Sequence, residues 1–247
     1  MTGARRAGWA LLALVLAGCG TAPAPQGISD PYEARNRQIH AFNRGVDRVL
    51  FRPAAQTYGT LLPEPIERGV SNFASNLDGP GDVVNNLLQG RPAPAVENGV
   101  RFLVNSTIGI GGLFDPATAM GLAGKPTDFG ETMHVWGAPE GNYAELPVMG
   151  PTTERDLVGT LVDVALNPLR LALPKPEASY VTGAKLASRL GDRARYSSTV
   201  DSILYDSADS YAQARLLYLQ NRRFALGQAD GGADAGDDPY FEDPYAE

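Results

Sequence analysis

Cysteine and histidine are scarce in this chain of 247 residues, which has one cysteine, Cys19, and two histidines. A single cysteine excludes a disulfide-stabilised scaffold and a zinc site built from several thiolates. Two histidines leave little for metal chemistry, so we predict no metal site. With a net charge of −7, the chain lacks the surplus of Lys and Arg that neutralises phosphates, and we predict no nucleic-acid partner.

Familiar catalytic motifs are also missing. The chain contains no nucleophile elbow of the form G-x-S-x-G, no H-E-x-x-H zinc motif, no Walker loop and no G-x-G-x-x-G loop. His40 and His134 each lie close to an aromatic residue in a predicted helix, and we interpret both as structural. We therefore predict that the protein is not an enzyme and uses no cofactor. A catalytic group assembled from distant residues is the alternative.

The N-terminus has the pattern of an export signal. Arg5 and Arg6 precede an uncharged run over residues 9–17. As a helix this run would cover about half of the hydrocarbon layer, so it cannot span a membrane. We predict a cleaved signal peptide over residues 1–18.

Cys19 directly follows that run. The sequence Leu-Ala-Gly-Cys that ends at Cys19 is similar to the bacterial lipobox, so Cys19 is the predicted site of lipid attachment. The acyl chains would hold the mature protein at a membrane. Gly20, rather than an Asp that favours retention at the inner membrane, favours the outer membrane. An ordinary signal peptide with a chance cysteine is the alternative.

Two low-complexity segments flank the predicted folded body. Residues 19–29 are rich in Pro, Gly and Ala and have no apolar periodicity, which predicts a lipidated tether. Residues 228–247 contain many acids and no base, which predicts an acidic disordered tail. The tail is either simply solvated or a docking strip for a soluble partner, with Tyr240, Phe241 and Tyr245 as anchors.

The body, residues 30–227, is predicted to form short helices separated by glycine and proline. Apolar residues recur at helical spacing over residues 36–51, 66–77 and 95–107. No segment shows a convincing run of alternating strand residues. The predicted fold class is therefore all-α.

Polar residues at the starts of apolar runs predict several helix caps. Asp128 and Thr153 are each followed three residues later by an acid. Asp82 is predicted to cap a short helix that buries Val83, Val84, Leu87 and Leu88. Ser198 is predicted to cap the longest helix, over residues 199–226.

Residues 102–114 contain no charged side chain. A surface helix normally carries charge on its outer face. The segment is too short to cross a bilayer, and Gly109, Gly111 and Gly112 allow a tight turn. We predict a hairpin that enters a membrane part of the way. A hairpin buried in an ordinary core is the alternative.

Arg44, Arg48 and Arg52 are spaced four residues apart and so share one helix face. This stripe either meets phospholipid headgroups or is simply solvated and partly paired with Asp47.

A series of short motifs runs in order along the body. These are Asp30-Pro31-Tyr32-Glu33, Asn36-Arg37, Phe42-Asn43, Asn72-Phe73, Asn76-Leu77, residues 85–90, Arg101-Phe102, Asn105-Ser106-Thr107, residues 109–112, residues 128–132, Gly141-Asn142-Tyr143 and residues 211–223. Together they resemble the MlaA (VacJ) family of outer-membrane lipoproteins.

The resemblance implies a ring-like arrangement of short helices around a central amphipathic channel. Such a protein lies in the inner leaflet of the outer membrane, on the periplasmic side. It extracts mislocalised phospholipid from the outer leaflet and passes it to a soluble periplasmic carrier of the MlaC type, and it associates with a trimeric porin. A passive porin-associated envelope scaffold and a membrane-bound phospholipase are the alternatives.

We predict that the uncharged hairpin lies near this channel. The predicted residues of the phospholipid path are Asn43, Phe102, Asn105, Ile108, Gly109, Gly111, Gly112 and Phe114.

Overall fold

The computed structural model describes residues 21, 22, 25, 27–169 and 175–228, with only the backbone over residues 175–180. The predicted signal peptide, the lipid attachment site Cys19 and the predicted tail beyond residue 228 lie outside the described residues.

Short helices make up most of the described chain. In chain order they are α1 (Glu33–Val46), α2 (Arg52–Leu61), α3 (Glu64–Asn76), α4 (Gly79–Leu88), α5 (Pro92–Thr107), α6 (Pro116–Ala119), α7 (Phe129–Val135), α8 (Glu154–Leu166), α9 (Lys175–Arg195), α10 (Ser197–Asp201) and α11 (Ser210–Ala225). A wider π-helical turn, Asp47–Phe51, joins α1 to α2, and a second, Ser202–Asp206, follows α10. The all-α prediction is confirmed.

One antiparallel strand pair interrupts the helices, and the sequence analysis did not predict it. Strands β1 (Tyr143–Leu146) and β2 (Gly150–Thr153) pair with Tyr143 opposite Thr153 and Leu146 opposite Gly150. Each strand has four residues, and β2 contains a glycine and a proline. A strand this short shows too little alternation to be recognised from its pattern.

Two of the four predicted caps are confirmed. The Asp128 side chain accepts a hydrogen bond from the Glu131 N–H, and the Thr153 side chain accepts one from the Asp156 N–H. The other two are wrong, because Asp82 and Ser198 both lie inside their helices, α4 and α10.

The predicted long helix over residues 199–226 is interrupted. The π-helical turn ends at Asp206, and α11 begins afresh at Ser210. Asp209 caps this new helix by accepting a hydrogen bond from the Ala212 N–H. A cap of this kind satisfies an N–H group that the start of a helix leaves without a partner.

Several helices are inverted relative to the usual arrangement of a protein in water, whereas α11 buries Tyr211 and Leu219 in a small apolar cluster with Tyr143. In α4 the buried residues are Asn85 and Asn86, whereas Leu87 is 58% exposed. The prediction that Val84, Leu87 and Leu88 are buried is therefore wrong, since all three are exposed. The helical spacing of the apolar residues was correct, but these side chains face outward.

The same inversion occurs in the neighbouring helices. In α1 the buried residues are Asn36 and His40, whereas Val49, in the turn that follows, is 78% exposed. In α5 the amides of Asn98 and Asn105 are buried. Buried amides need hydrogen-bond partners, so the interior is held together by polar contacts as much as by apolar ones.

Helix α11 joins distant parts of the chain through arginine ion pairs. Arg222 donates hydrogen bonds of 2.7 Å to both carboxylate oxygens of Asp128, and it also bonds Asp156. Arg223 bonds Glu140 through two nitrogens at 3.0 and 2.8 Å. Burial raises the pKa of Asp128, but the hydrogen bonds and charge of Arg222 outweigh it and hold that pKa below its usual range.

The described part of the predicted tether is bonded to the body. Ala22 is buried, and its N–H donates to the His134 carbonyl at 3.2 Å. The Gln228 side chain donates to the Ala22 carbonyl at 3.3 Å. Further along, the Ser29 carbonyl accepts a hydrogen bond from the Tyr143 N–H at 2.8 Å. The two ends of the described chain therefore meet beside α7.

Within the part of the chain that the structure describes, no helix has both the length and the apolarity that crossing a bilayer requires.

Candidate functional site

A cavity of about 740 Å³ lies between helices α3, α4, α5, α8 and α9 and the segment that follows the α5 turn. Polar and charged side chains dominate its lining. The lining asparagines are Asn72, Asn76, Asn85, Asn98, Asn105 and Asn167. The lining acids are Asp78, Asp82, Asp115, Asp128 and Asp163, and the lining bases are Arg101, Lys125, Lys185 and Arg189.

Two of these asparagines, both on α5, hold residues 115–127 against that helix by hydrogen bonds. The Asn98 side chain donates to the Lys125 carbonyl and accepts from the Lys125 N–H, both at 2.8 Å. The Asn105 side chain donates to Asp115 at 2.9 Å and accepts from the Ala117 N–H at 3.1 Å. Each amide uses both a donor and an acceptor, which is the satisfied state that a buried amide requires.

An ion pair completes this attachment. Arg101 lies 3.0 Å from an Asp115 carboxylate oxygen and also donates to the Leu122 carbonyl. Burial raises the pKa of Asp115, but hydrogen bonds from Thr118, Asn105 and Arg101 outweigh it and lower that pKa to about 2. Asp115 therefore remains charged throughout the neutral range.

The structure brings two of the predicted path residues to the cavity. Phe102 and Asn105, on α5, both line it. Ile108 and Phe114 do not, because they lie in the turn after α5 and are 68% and 61% exposed.

The glycines of the turn allow the backbone to pass very close to its neighbours. A Cβ on Gly112 would lie 2.6 Å from the Asn76 Cβ, and a Cβ on Gly109 would meet the carbonyl oxygens of Asn105 and Phe114. Gly111 has a φ of +71° and open space around it. None of these three glycines lines the cavity, but Gly112 supports Asn76, which does.

The structure does not bring Asn43 to this cavity. Its side chain donates to the Leu146 carbonyl at 2.9 Å and accepts from the Val148 N–H at 2.7 Å. Asn43 therefore fixes the turn between β1 and β2 against α1.

The cavity acids Asp82 and Asp163 were missed by the sequence analysis. Burial raises the pKa of Asp82 to about 7, and the negative charges of Asp78, Asp163 and Asp128 add to the effect. The pKa of Asp163 is also raised by burial. A lone acid within an apolar helical run was the available signal, since Asp82 precedes two valines and Asp163 lies in the stretch Leu-Val-Asp-Val-Ala-Leu.

The outward faces of α5 and of the turn carry a series of exposed apolar residues, which we call the apolar rim. Its members are Val96, Val100, Leu103, Ile108, Ile110, Leu113 and Phe114. Large exposed apolar surfaces of this kind mark sites that contact a membrane or another protein. The cavity and the rim lie on opposite faces of α5.

The arginine stripe, which has Arg44 in α1, Arg48 in the π-helical turn and Arg52 in α2, faces the C-terminal part of the chain. Arg52 bonds Asp201 at 3.1 Å through Nε, and the Arg48 guanidinium lies 5.0 Å from the centre of the Tyr205 ring. Asp47 pairs with Arg193 at 2.9 Å, so the predicted pairing of Asp47 with the stripe is wrong.

A smaller hollow of about 340 Å³ contains His40 and Ser210. His40 Nδ1 lies 3.2 Å from Glu145 Oε1, and His40 Nε2 lies 3.1 Å from Ser210 Oγ. This order of groups resembles a catalytic triad for acyl transfer. However, Asp209 accepts the Ala212 N–H, and hydrogen bonds, chiefly from Arg37, lower the Asp209 pKa to about 2. The carboxylate next to Ser210 is thus paired with Arg37 at 2.9 Å, and the Arg44 guanidinium donates to Ser210 Oγ at 3.5 Å.

The fold and the cavity define an α-helical protein that buries many polar side chains and exposes many large apolar ones. A family model described as MlaA lipoprotein matches residues 28–225. The intermembrane phospholipid transport system lipoprotein MlaA of Escherichia coli K12 is 34% identical over 231 residues, which cover 90% of this chain and 88% of the relative. A protein of Rickettsia bellii is 35% identical over 200 residues, covering 81% of this chain and 77% of the relative.

One solved structure is similar over most of the chain. It comes from work on the structural basis for maintenance of bacterial outer membrane lipid asymmetry, and it superposes with a TM-score of 0.70 at 33% identity. The match covers 80% of this chain and 99% of the solved one. The chain belongs to the MlaA lipoprotein family and is an outer-membrane lipoprotein.

Proposed function

We propose that this protein maintains outer-membrane lipid asymmetry by taking mislocalised phospholipid from the outer leaflet and passing it through the polar cavity towards the periplasm. The observation that carries the proposal is the inversion of α5, which has buried amides on the cavity side and the apolar rim on the other. The names of the MlaA relatives, which describe an intermembrane phospholipid transport system, support it.

Physical chemistry explains why this arrangement suits lipid transfer. A headgroup that enters hydrocarbon loses its hydrogen bonds to water, at a cost of several kcal/mol. The asparagines and charged groups of the cavity replace those bonds, while the acyl chains remain in contact with apolar surface. Lipid that descends from the wrong leaflet could therefore move without nucleotide hydrolysis.

The proposal also includes how the protein is attached to the membrane and which proteins it binds. Acyl chains on Cys19 would attach the protein on the periplasmic side, and the apolar rim would lie among the lipid tails. A trimeric porin would hold the protein in place. A soluble carrier of the MlaC type would receive the lipid, with the acidic tail over residues 228–247 as its docking strip.

Photocrosslinking of labelled phospholipid in cells tests the path. A photoreactive amino acid at position 102 faces the cavity, whereas the same group at position 103 faces outward from the apolar rim. We expect headgroup-labelled lipid to crosslink at 102 and chain-labelled lipid to crosslink at 103. Headgroup crosslinking that is equal at the two positions would contradict a polar path through the cavity.

Filling the cavity tests transport itself. Ser75 lines the cavity and is exposed to it, so Ser75→Trp should obstruct the path. Val96→Trp places the same side chain on the apolar rim and is the matched control. We expect phospholipid to accumulate in the outer leaflet of cells that carry Ser75→Trp and not in cells that carry Val96→Trp. Normal asymmetry with both variants would favour a passive scaffold.

A membrane-bound phospholipase is a second candidate, because Ser210, His40 and Glu145 are arranged as in a hydrolase. The test is release of fatty acid from phospholipid vesicles by the purified protein. Release that is proportional to protein and abolished by Ser210→Ala would replace the transfer proposal with an enzymatic one.

A further inference from the structure

Charges of both signs line the cavity, and two of its walls matter here: one with Asp82 and Asp163, which we call the acidic side, and the α9 wall, which we call the basic side. Asp82 on α4 and Asp163 on α8 belong to the acidic side. Lys185 and Arg189 belong to α9, which packs against α2 and α3 rather than against α4 or α8. Charges of both signs therefore face the same space from different walls.

Asp82 and Asp163 both accept hydrogen bonds from one backbone segment, residues 127–129. The Thr127 N–H donates to Asp82 at 3.1 Å, and the Phe129 N–H donates to Asp163 at 2.9 Å. Asn85 also donates to Asp163, at 2.9 Å. These bonds fix the two carboxylates but bring them no positive charge.

Other acids of the cavity have a cationic partner, and these two have none. Asp115 pairs with Arg101, Asp128 with Arg222 and Asp78 with Lys185. Among the residues that the structure describes, neither Asp82 nor Asp163 forms an ion pair. Two neighbouring carboxylates away from bulk water are unfavourable unless a cation joins them.

The basic side offers a complementary group. Arg189 lines the cavity from an exposed position on α9, and within the described part of the chain it has no carboxylate within ion-pair distance. A guanidinium matches the geometry of a phosphate, to which it can donate two parallel hydrogen bonds.

We propose that the cavity selects zwitterionic phospholipid whose headgroup carries a primary ammonium, with the ammonium at Asp82 and Asp163 and the phosphate towards Arg189. This inference rests on the proposed function, because the ligand enters by the same path. A primary ammonium has three N–H donors, which two carboxylates accept. An uncharged glycerol headgroup cannot neutralise them.

Lipid capture from mixed vesicles tests the selection. The full-length protein is incubated with vesicles of equimolar phosphatidylethanolamine and phosphatidylglycerol, and the bound lipid is quantified by mass spectrometry. One charge-assisted hydrogen bond predicts about tenfold enrichment of phosphatidylethanolamine in the wild-type protein. Asp82→Asn and Asp163→Asn each keep one acceptor oxygen and remove the charge, so we expect each to lower the enrichment and the double variant to abolish it.

Asp206→Asn is the matched control, since Asp206 is exposed and lies outside the cavity lining. It should retain the wild-type ratio. Repeating the capture with phosphatidylcholine in place of phosphatidylethanolamine separates hydrogen bonding from charge, because its quaternary ammonium has no N–H donor. We expect a smaller enrichment with this lipid.

The outcomes separate the two proposals. Lipid bound by the wild-type protein without headgroup preference, or a preference unchanged in both single variants, overturns the ammonium site and leaves lipid transfer intact. Failure of the wild-type protein to capture any lipid overturns the proposed function itself. If the double variant does not fold, as judged by circular dichroism, the two single variants decide the matter.

Discussion

Gly112→Ala should disturb the cavity from outside it, and Gly111→Ala is its matched control. Both glycines have a positive φ, +97° at Gly112 and +71° at Gly111. An alanine in this region costs about 1–2 kcal/mol, so both variants carry that strain. Only at Gly112 does the added Cβ meet another residue, the buried Asn76.

The contact between the added methyl group and Asn76 determines how much stability Gly112→Ala loses. The Asn76 amide donates to Ser106 Oγ at 2.9 Å and, more weakly, to the Gly111 carbonyl at 3.5 Å. A shift of Asn76 that makes room for the methyl group breaks these bonds and leaves a buried amide unsatisfied, at about 1–3 kcal/mol. We therefore expect the free energy of unfolding to fall by about 2–5 kcal/mol in Gly112→Ala, the sum of the two costs, and by about 1–2 kcal/mol in Gly111→Ala.

Urea unfolding of the purified chain in detergent, followed by circular dichroism, measures both values. Because Asn76 lines the cavity, Gly112→Ala should also reduce lipid transfer in cells, whereas Gly111→Ala should not. Equal destabilisation by the two substitutions would refute the reasoning, since it would mean that the contact with Asn76 carries no energy.

Three further predictions follow from other parts of the molecule. Cys19→Ala should move the protein from the membrane to the soluble fraction and abolish acyl labelling; unchanged membrane retention would contradict the lipid anchor. The pKa of Asp82 is raised from 3.8 to about 7 in the folded state. Between these two values the folded state retains a proton that the unfolded state loses. Asp82 therefore stabilises the fold at low pH and ceases to do so as the pH rises to about 7. The free energy of unfolding of Asp82→Asn should therefore rise relative to that of the wild-type protein between pH 4 and pH 7, by up to about 1.4 kcal/mol per pH unit. Urea titrations at each pH measure this difference, and a difference that does not change with pH would contradict the prediction. Deletion of residues 229–247 should weaken binding to a carrier of the MlaC type with little loss of helicity, and equal affinity in a binding titration would make the tail irrelevant to docking.

Helix positions could be predicted from the sequence, but not which face of each helix is buried. Apolar spacing locates a helix whichever face turns inward, and side chains that cap their own helix, such as Asp128 and Thr153, are local features. The choice of the inner face assumed that water surrounds the protein. In α4 that assumption gave the opposite of what the structure shows.

The positions of the asparagines indicate which face of each helix is buried. It is a poor helix former, yet Asn72 and Asn76, and again Asn98 and Asn105, recur within helices at spacings that share one face. A polar residue repeated in this way indicates that the face has polar partners. The pairing of Asp82 with Asp163 could not be predicted, because it depends on how α4 and α8 approach each other.

The contact between Ala22 and Gln228 has a consequence for how the molecule stands on a surface. Cys19 precedes Ala22 by three residues, so acyl chains at Cys19 would enter the bilayer within about 10 Å of the corner beside α7. Gln228, the last described residue, bonds Ala22 there, so the segment that follows Gln228 begins at the same place. A carrier that binds this segment would therefore be held near the lipid attachment site rather than at varying positions around the protein.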